Sequence, residues 1–411
     1  MDYNILKKNS VFIEVGSFEN YGGWVLDTQF IPNMGSAYLL AHGLGEPVEN
    51  AQTKIELPET GTYRLWVFTK DWVAYWKKNC SPGLFKISID GKECDTVFGT
   101  EGCEWAWQDG GIVEITSPAA TIALCDLTGF EGRCGGILLT KDLEFVPPND
   151  IDENSKMRRV LCGNEDTKFL GEYDIVIAGG GISGICAAVS AARDGLKTAL
   201  IHDRDVVGGN NSSEVRVWLG GETNFEPFPN IGNITNEFEQ ETVAHYGAAN
   251  VGEIYEDERK MSVLQNEENL DVFTGYFLVD AKMNGNEIES VIIYNVRTGK
   301  YGELSAKLFA DCTGDGNLGY YAGADFEVTT NGHMGMTNVW HVEDMGSEQI
   351  FPSCPWAIDL TKVDFPGRRS VENVYGQTGS DSLGCWYWES GMEHDPIKMV
   401  FFAREPNNIS L

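Results

Sequence analysis

Three glycines, Gly179, Gly181 and Gly184, stand where a short run of β-branched residues ends and an alanine-rich run begins. Tyr173–Ala178 is apolar and short, as suits a buried parallel strand. Ile182–Asp194 repeats apolar residues at helical spacing, and Gly195 follows where a left-handed C-terminal cap belongs. Lys197–His202 is a second apolar strand, so the stretch reads strand, tight turn, helix, strand. The glycine spacing within it has a chemical meaning. Gly179 permits the sharp turn, Gly181 lets backbone approach a pyrophosphate with no Cβ in the way, and Gly184 lets the helix pack closely on the strand. A dinucleotide's diphosphate would then meet the unpaired N–H groups and the positive dipole end of the helix. A chain with 47 glycines produces chance matches, and a glycine-rich structural turn is the alternative. The flanking strand and helix favour the dinucleotide site.

An acidic residue is expected about 20 residues further on, to hold ribose hydroxyls. That place holds His202, followed by Asp203 and Arg204. The ribose contact then falls to Asp203 or to the imidazole, with a solvated strand-end charge pair as the plainer reading. A second glycine pair, Gly208-Gly209, comes just after this strand and opens the run Asn210-Asn211-Ser212-Ser213-Glu214-Val215-Arg216. Such a loop suits the longer cofactor FAD, which passes beneath it on its way to the flavin. Asn210 and Ser212 supply hydrogen-bonding groups. Arg216 would meet a phosphate or a flavin carbonyl, or else pair with Glu214 or Asp203. Leu304–Asp311 is a further apolar strand, ending in Cys312-Thr313-Gly314-Asp315-Gly316. There the backbone can come close to a ligand again, with Asp315 on a sugar hydroxyl, or the segment is a structural turn.

The elements that must position these residues occupy the later part of a chain of 411 residues, long enough for two or three domains. Acidic residues outnumber basic ones by 62 to 30, giving a net charge of −32. That field repels phosphate backbones and anionic bilayers, so nucleic acid and membrane are not expected as partners. No run of about 18 apolar residues is present, and the N-terminus lacks the apolar core of a signal peptide, so a cytoplasmic location is expected. The ten cysteines form no CxxC pair and read as reduced thiols; no metal site is expected. Cys186 and Cys312 read as small core residues.

Residues 1–146 show short strand-like runs at Tyr63–Thr69, Leu84–Asp90, Gly111–Thr116, Thr121–Asp126 and Gly136–Thr140, without helical periodicity. A β-sandwich is expected. Its tryptophans, Trp24, Trp66, Trp72, Trp76, Trp105 and Trp107, either fill the core or stack on sugar rings, with Trp72 and Trp76 the most exposed by their charged surroundings. Residues 147–171, with two prolines and many charges, read as a linker, and 172–411 as the cofactor domain. Within the latter, Asn236–Tyr246 reads as a surface helix. Leu270–Asp280 and Glu287–Asn295 read as strands, with a hairpin turn at Asn284-Gly285. His333, Trp340, His341, Trp386, Tyr387 and Trp388 read as pieces of a substrate-facing region; a partner that would make either histidine an acid–base group is not visible. A helix expected from Asp395-Pro396 through Met399–Ala403 breaks off into a polar end, so the cofactor domain looks cut short.

The glycine fingerprint, the loop GGNNSSEVRV and the segment DCTGDGNLGYYAGADF together resemble FAD-dependent oxidoreductases of the glutathione-reductase-like flavoprotein group, most of all its heterodisulfide-reductase-like branch. The resemblance covers about residues 172–411. The stretches ENYGGWVLDTQF, MGSAYLLAHGLGEPV, WAWQDGG and DLTGFEGRCGGI resemble the golvesin-type or carbohydrate-binding sandwich often fused to that branch. The resemblance implies a multidomain fold, an all-β sandwich followed by an α/β Rossmann-like FAD domain. It implies FAD contacts at Gly179, Gly181, Gly184, Gly208, Gly209, Thr313, Gly314 and Asp315, and an adenine contact from the backbone near Leu278. It implies hydride transfer from a small molecule to flavin, the substrate being a saccharide by analogy with the fused domain. Two other readings remain: a carbohydrate-binding or scaffold protein with a degenerate flavin domain, and an electron-transfer flavoprotein that needs a carrier partner.

Overall fold

The computed structural model describes residues 3–244 and 250–328, with short stretches at 339–341, 347, 353–357, 402–405 and 408–410. Its contacts divide the chain into two compact units. The first comprises Met1–Glu172, Gly275–Ser305 and Phe351–Trp356; the second comprises Tyr173–Thr274, Ala306–Ile350 and Ala357–Leu411. This differs from the linear division at 146 and 171 expected from sequence. Packing, not chain order, assigns residues 275–305 to the first unit: Tyr294 and Val296 cluster with Ile31 and Ala37.

The first unit is mostly β. One antiparallel sheet has the order β1 (Ser10–Ile13), β11 (Gly136–Thr140), β5 (Gly61–Thr69), β8 (Ala106–Ile115). A second has the order β4 (Ala51–Glu56), β9 (Ala119–Asp126), β6 (Phe85–Ile89), β7 (Lys92–Glu93), and a third β10 (Phe130–Cys134), β3 (Tyr38–His42), β2 (Trp24–Asp27). On one face of the first sheet Ile13, Leu65, Val67, Ile137 and Leu139 meet Ile55, Ile87, Ile122 and Leu124 of the second in one core. On its other face Trp66, Phe68, Trp107 and Leu138 meet Tyr3 and Leu6 of α1 (Tyr3–Lys7) and Met157 of α3 (Ile151–Leu161). Covering on both faces explains why β11, GILLT, is buried at every residue. In β4, by contrast, buried and exposed residues alternate.

Helix α3 falls inside the stretch expected to be a linker. Asp150 caps it by accepting from the N–H groups of Asp152 and Glu153. Asp152 and Glu153 lie in its first turn and Arg158 and Arg159 in its last, the arrangement that the helix dipole favours. Buried Arg158 pairs with Glu14 and donates to Ser36 Oγ. Trp24, Trp66, Trp105 and Trp107 are buried, so the core reading holds for them, whereas Trp72 and Trp76 are half-buried. The first unit also holds α2 (Ile31–Met34) and a hairpin of β15 (Tyr276–Asn284) and β16 (Glu287–Asn295), turning at Gly285 with φ +64°. Residues Ser290–Tyr294 of β16 pair with the start of β17 (Tyr301–Asp311).

The second unit contains the strand–helix–strand unit as expected: β12 (Lys168–Ala178), α4 (Ile182–Arg193) and β13 (Thr198–His202). β12 pairs with β13 in parallel register, Ile175 opposite Thr198, and β13 with β14 (Leu270–Thr274), also in parallel. β17 lies beside β12 in the same sheet. Ile185, Ala188 and Val189 of α4 pack on Ile177, Leu200, Phe238 and Leu264. Phe238 lies on α5 (Asn233–Phe238) and Leu264 on α6 (Asp257–Gln265). The helix expected over Asn236–Tyr246 ends at Phe238, where Glu239 turns extended. A further short helix, α7 (Asn317–Tyr321), follows β17. His333, Trp386, Tyr387, Trp388 and Asp395-Pro396 lie outside the described residues, and of Trp340 and His341 only a strand backbone is described. Phe402 and Ala403, expected at the end of a helix, fall in a short strand.

Candidate cofactor site

The first glycine turn is built by exclusion of Cβ atoms. Gly179 sits at φ +105°, and a Cβ there would lie 2.1 Å from the carbonyl oxygen of Cys312. A Cβ on Gly184 would lie 1.8 Å from the carbonyl oxygen of Gly179, so close helix–strand packing needs glycine there, as the spacing implied. Gly181 is different. It is the N-cap of α4 with φ −66°, a conformation open to any residue, and nothing lies within 4 Å of where its Cβ would be. The helix has no side-chain cap and no acid in its first turn. The start of the helix is thus left without a side-chain cap beside the open space at Gly181, and the helix dipole adds positive potential there.

His202 ends β13 but takes no part in that opening. Its Nδ1 accepts the N–H of Gly180 at 3.1 Å, and its Nε2 faces the carbonyl of Val206 at 2.9 Å. These partners require the neutral tautomer with the proton on Nε2. Burial pushes its pKa down, in keeping with a neutral ring. A ribose contact from the imidazole is therefore corrected: both ring nitrogens are engaged in tying the glycine turn to the following loop. Asp203, partly exposed, is the acid left at the strand end, and Arg204 lies 3.7 Å from it and 3.6 Å from Glu214.

The second glycine pair abuts the first. Gly208 donates to the carbonyl of Gly180 at 2.8 Å and bridges Gly181 in parallel fashion. Gly209, at φ +60°, lies so close that its Cβ would be 3.1 Å from Gly181 Cα. Ser212 is buried, and its Oγ donates to the carbonyl of Gly209 at 2.7 Å, while Asn210 is exposed. Arg216 is tied to its own loop and to the segment at Asn250. Its Nε donates to the carbonyl of Ser213 at 3.0 Å and its Nη1 to that of Asn250 at 3.3 Å, so it braces the loop from within. Arg204, not Arg216, approaches Glu214.

The third segment follows β17, where Cys312 N–H donates to the carbonyl of Ala178 at 2.7 Å and so brings this turn against the first. Asp311 organises it. One carboxylate oxygen accepts from Thr313 N–H and Oγ1, at 3.0 and 2.7 Å, and the other from Gly319 N–H at 2.9 Å. Burial would raise its pKa, and the donors of Gly319 and Thr313 outweigh that effect, so the carboxyl titrates below its ordinary range. Gly314, at φ +84°, and Asp315 are exposed at the rim. Leu278, from whose neighbourhood an adenine contact is expected, lies in the first unit, buried on β15 opposite Ile293. The thiols of Cys186 and Cys312 are both pushed up by burial, which keeps them as thiols.

Sequence reasoning missed Asp311, whose spacing to Thr313 is an ordinary Asx pattern. It also missed Asp257 and Lys260 on α6, which touch the second glycine loop from behind. Nothing in the local sequence links a charged helix to a loop 49 residues earlier.

The family described as FAD dependent oxidoreductase matches residues 174–399. Solved structures with similarity include an L-proline dehydrogenase from P. horikoshii, 23% identical over 36% of this chain and 24% of that one, with TM-score 0.23. They also include a geranylgeranyl bacteriochlorophyll reductase-like protein from Thermoplasma acidophilum, 17% identical over 39% and 44% with TM-score 0.28. A third is the adenylylsulfate reductase from Archaeoglobus fulgidus, 17% identical over 36% and 32% with TM-score 0.26. The chain thus spans less than half the length of each, and scores this low add nothing to the family match. No curated protein matches it.

Proposed function

The chain belongs to the FAD dependent oxidoreductase family, and from that premise we propose that it binds FAD across its paired glycine turns and oxidises a small-molecule substrate. FAD is the cofactor, and when bound it supplies a two-electron acceptor for a hydride leaving a C–H bond. The residues present fit it. The observation that carries the reading is the uncapped start of α4, opening beside Gly181 onto space that a side chain would fill. There the N–H groups of the first turn bind the diphosphate. Asp203 takes the ribose hydroxyls. The backbone of Gly208–Asn210, and Thr313 through Asp315, line the cofactor's further course, with Ser212 and Arg216 holding the loop in shape from within.

The substrate we favour is a neutral saccharide. Its support is a groove in the first unit, of about 490 Å³, lined by Asn79, Ser81, Thr128, Phe130, Ser353 and Trp356. Trp356 packs edge-on against Trp72, 5.1 Å between ring centres, and against Phe130 at 5.2 Å. A groove combining aromatic rings with hydroxyl and amide groups suits a sugar ring, and the net charge of −32 disfavours an anionic one. This groove also supports an N-terminal sandwich that binds carbohydrate. Reduced thiols at every described cysteine suit the cytoplasm. No described helix is long and apolar enough to cross a membrane. An electron-carrier protein would take the electrons onward.

Anaerobic titration of the FAD-loaded protein with a panel of neutral sugars tests the substrate. Bleaching of the visible flavin bands by one of them supports it. Flavin that no sugar bleaches, but that a reduced carrier protein does, points instead to an electron-transfer flavoprotein.

A further inference from the structure

The second glycine loop is held from behind by one turn of helix α6. At its start, the Asp257 carboxylate accepts the N–H of Ser213 at 3.2 and 3.3 Å. Three residues on, Lys260 is wholly buried and its Nζ donates to the carbonyl of Asn211 at 2.5 Å. A lysine with no solvent exposure is costly unless its ammonium is held. Its stem also packs against the loop, for a Cβ on Gly208 would lie 3.6 Å from Lys260 Cδ. Residues three apart share a helix face, so Asp257 and Lys260 grip two peptide groups of the loop, one by its N–H and one by its carbonyl. Just before those peptides in the chain come Gly208, Gly209 and Asn210, and Gly208 and Gly209 abut the first glycine turn.

We propose that Asp257 and Lys260 are positioning residues for FAD: they fix the backbone of Gly208–Asn210 in the conformation that receives the cofactor, without touching it themselves. This rests on the FAD reading above. Buried Asn211 strengthens the grip, giving its amide to Val217 O at 3.0 Å and to Gln240 Oε1 at 2.8 Å. The charged groups bearing on Lys260 are Asp257, Glu256 and Arg259 from its own helix, while the Tyr255 ring faces it from the preceding turn. Arg193 of α4 and Glu237 of α5 are engaged with each other, and the group that Lys260 Nζ meets on the loop is the neutral Asn211 carbonyl.

Burial is the main cause that lowers the Lys260 pKa, to about 8, with Asp257 opposing it. The ammonium therefore discharges as pH rises through about 8, and the grip on Asn211 weakens. Stability moves the other way. The unfolded lysine keeps its proton up to about pH 10.4, so above about 8 the unfolded state binds more protons and the apo fold gains stability with pH.

The test is FAD titration of the apo protein, wild type beside Lys260→Met and Lys260→Arg, with apo melting temperatures recorded from about pH 7 to about pH 9.5. The expected result for Lys260→Met is affinity at least tenfold weaker at neutral pH, largely restored in Lys260→Arg. Wild-type affinity should fall above about pH 8 while its apo melting temperature does not. Should Lys260→Met fail to fold, the divergent pH profiles of the wild type carry the test alone. The proposal is overturned if Lys260→Met binds FAD as the wild type does, or if wild-type affinity and apo stability keep the same pH profile. Wild-type protein that takes up no FAD at all overturns the FAD reading together with it.

Discussion

Gly181 and Gly184 lack the same atom for opposite reasons. At Gly184 the atom would collide with fixed backbone, 1.8 Å from Gly179 O, whereas at Gly181 it would stand in empty space. Gly184→Ala should therefore destabilise the fold by about 2 kcal/mol or more, since overpacking a rigid contact costs in that range; urea melts of the apo protein measure it. His202 offers a second check. Its folded pKa is pushed below the ordinary value by burial. Its contribution to stability is therefore complete above about pH 6.5 and is lost as pH falls through the folded value. Melts from about pH 7 down to about pH 5 should show that loss, and His202→Ala should lack it while being about 2 kcal/mol less stable at neutral pH, because it orphans the N–H of Gly180. The steric roles of Gly179 and Gly184 were legible in sequence because they depend on local spacing. The work of His202 was not, because its partner lies 22 residues away across a strand and a helix.

At the scale of elements, β12, α4 and β13 were legible because their periods are clean and glycines punctuate them. Helix α3 was hidden. Two prolines and a run of charges precede its few apolar residues, and only docking of Met157 beside Trp107 and Tyr3 shows that the segment belongs to the core. Its start depends on Asp150, which accepts from two backbone N–H groups at 3.1 Å each. Asp150→Ala should lower stability by about 1 kcal/mol in thermal melts, with no effect on FAD binding. Strands β1, β2, β3, β4 and β10 were also missed, being short and flanked by mixed residues. Their identity comes from pairing, as when β1 completes a sheet by lying against β11.

Across the whole molecule, nothing in the residue pattern signals that residues 275–305 return to the first unit. Alternation identifies a hairpin but does not say that Tyr294 and Val296 pack with Ile31 and Ala37. The cofactor site, in contrast, draws on three segments of one unit, at 179–184, 208–213 and 311–315, whose turns are joined by Gly208 N–H to Gly180 O and Cys312 N–H to Ala178 O. That convergence brings three separate glycine turns together, and in the proposed reading the opening beside Gly181 receives the diphosphate of FAD. The direct test is the FAD affinity of the apo protein compared with that of Gly181→Ala. The substitution should leave apo stability within about 0.5 kcal/mol, as surface changes do, yet weaken FAD binding at least tenfold. A variant that folds and binds FAD as tightly as the wild type would contradict the placement of the diphosphate at the start of α4.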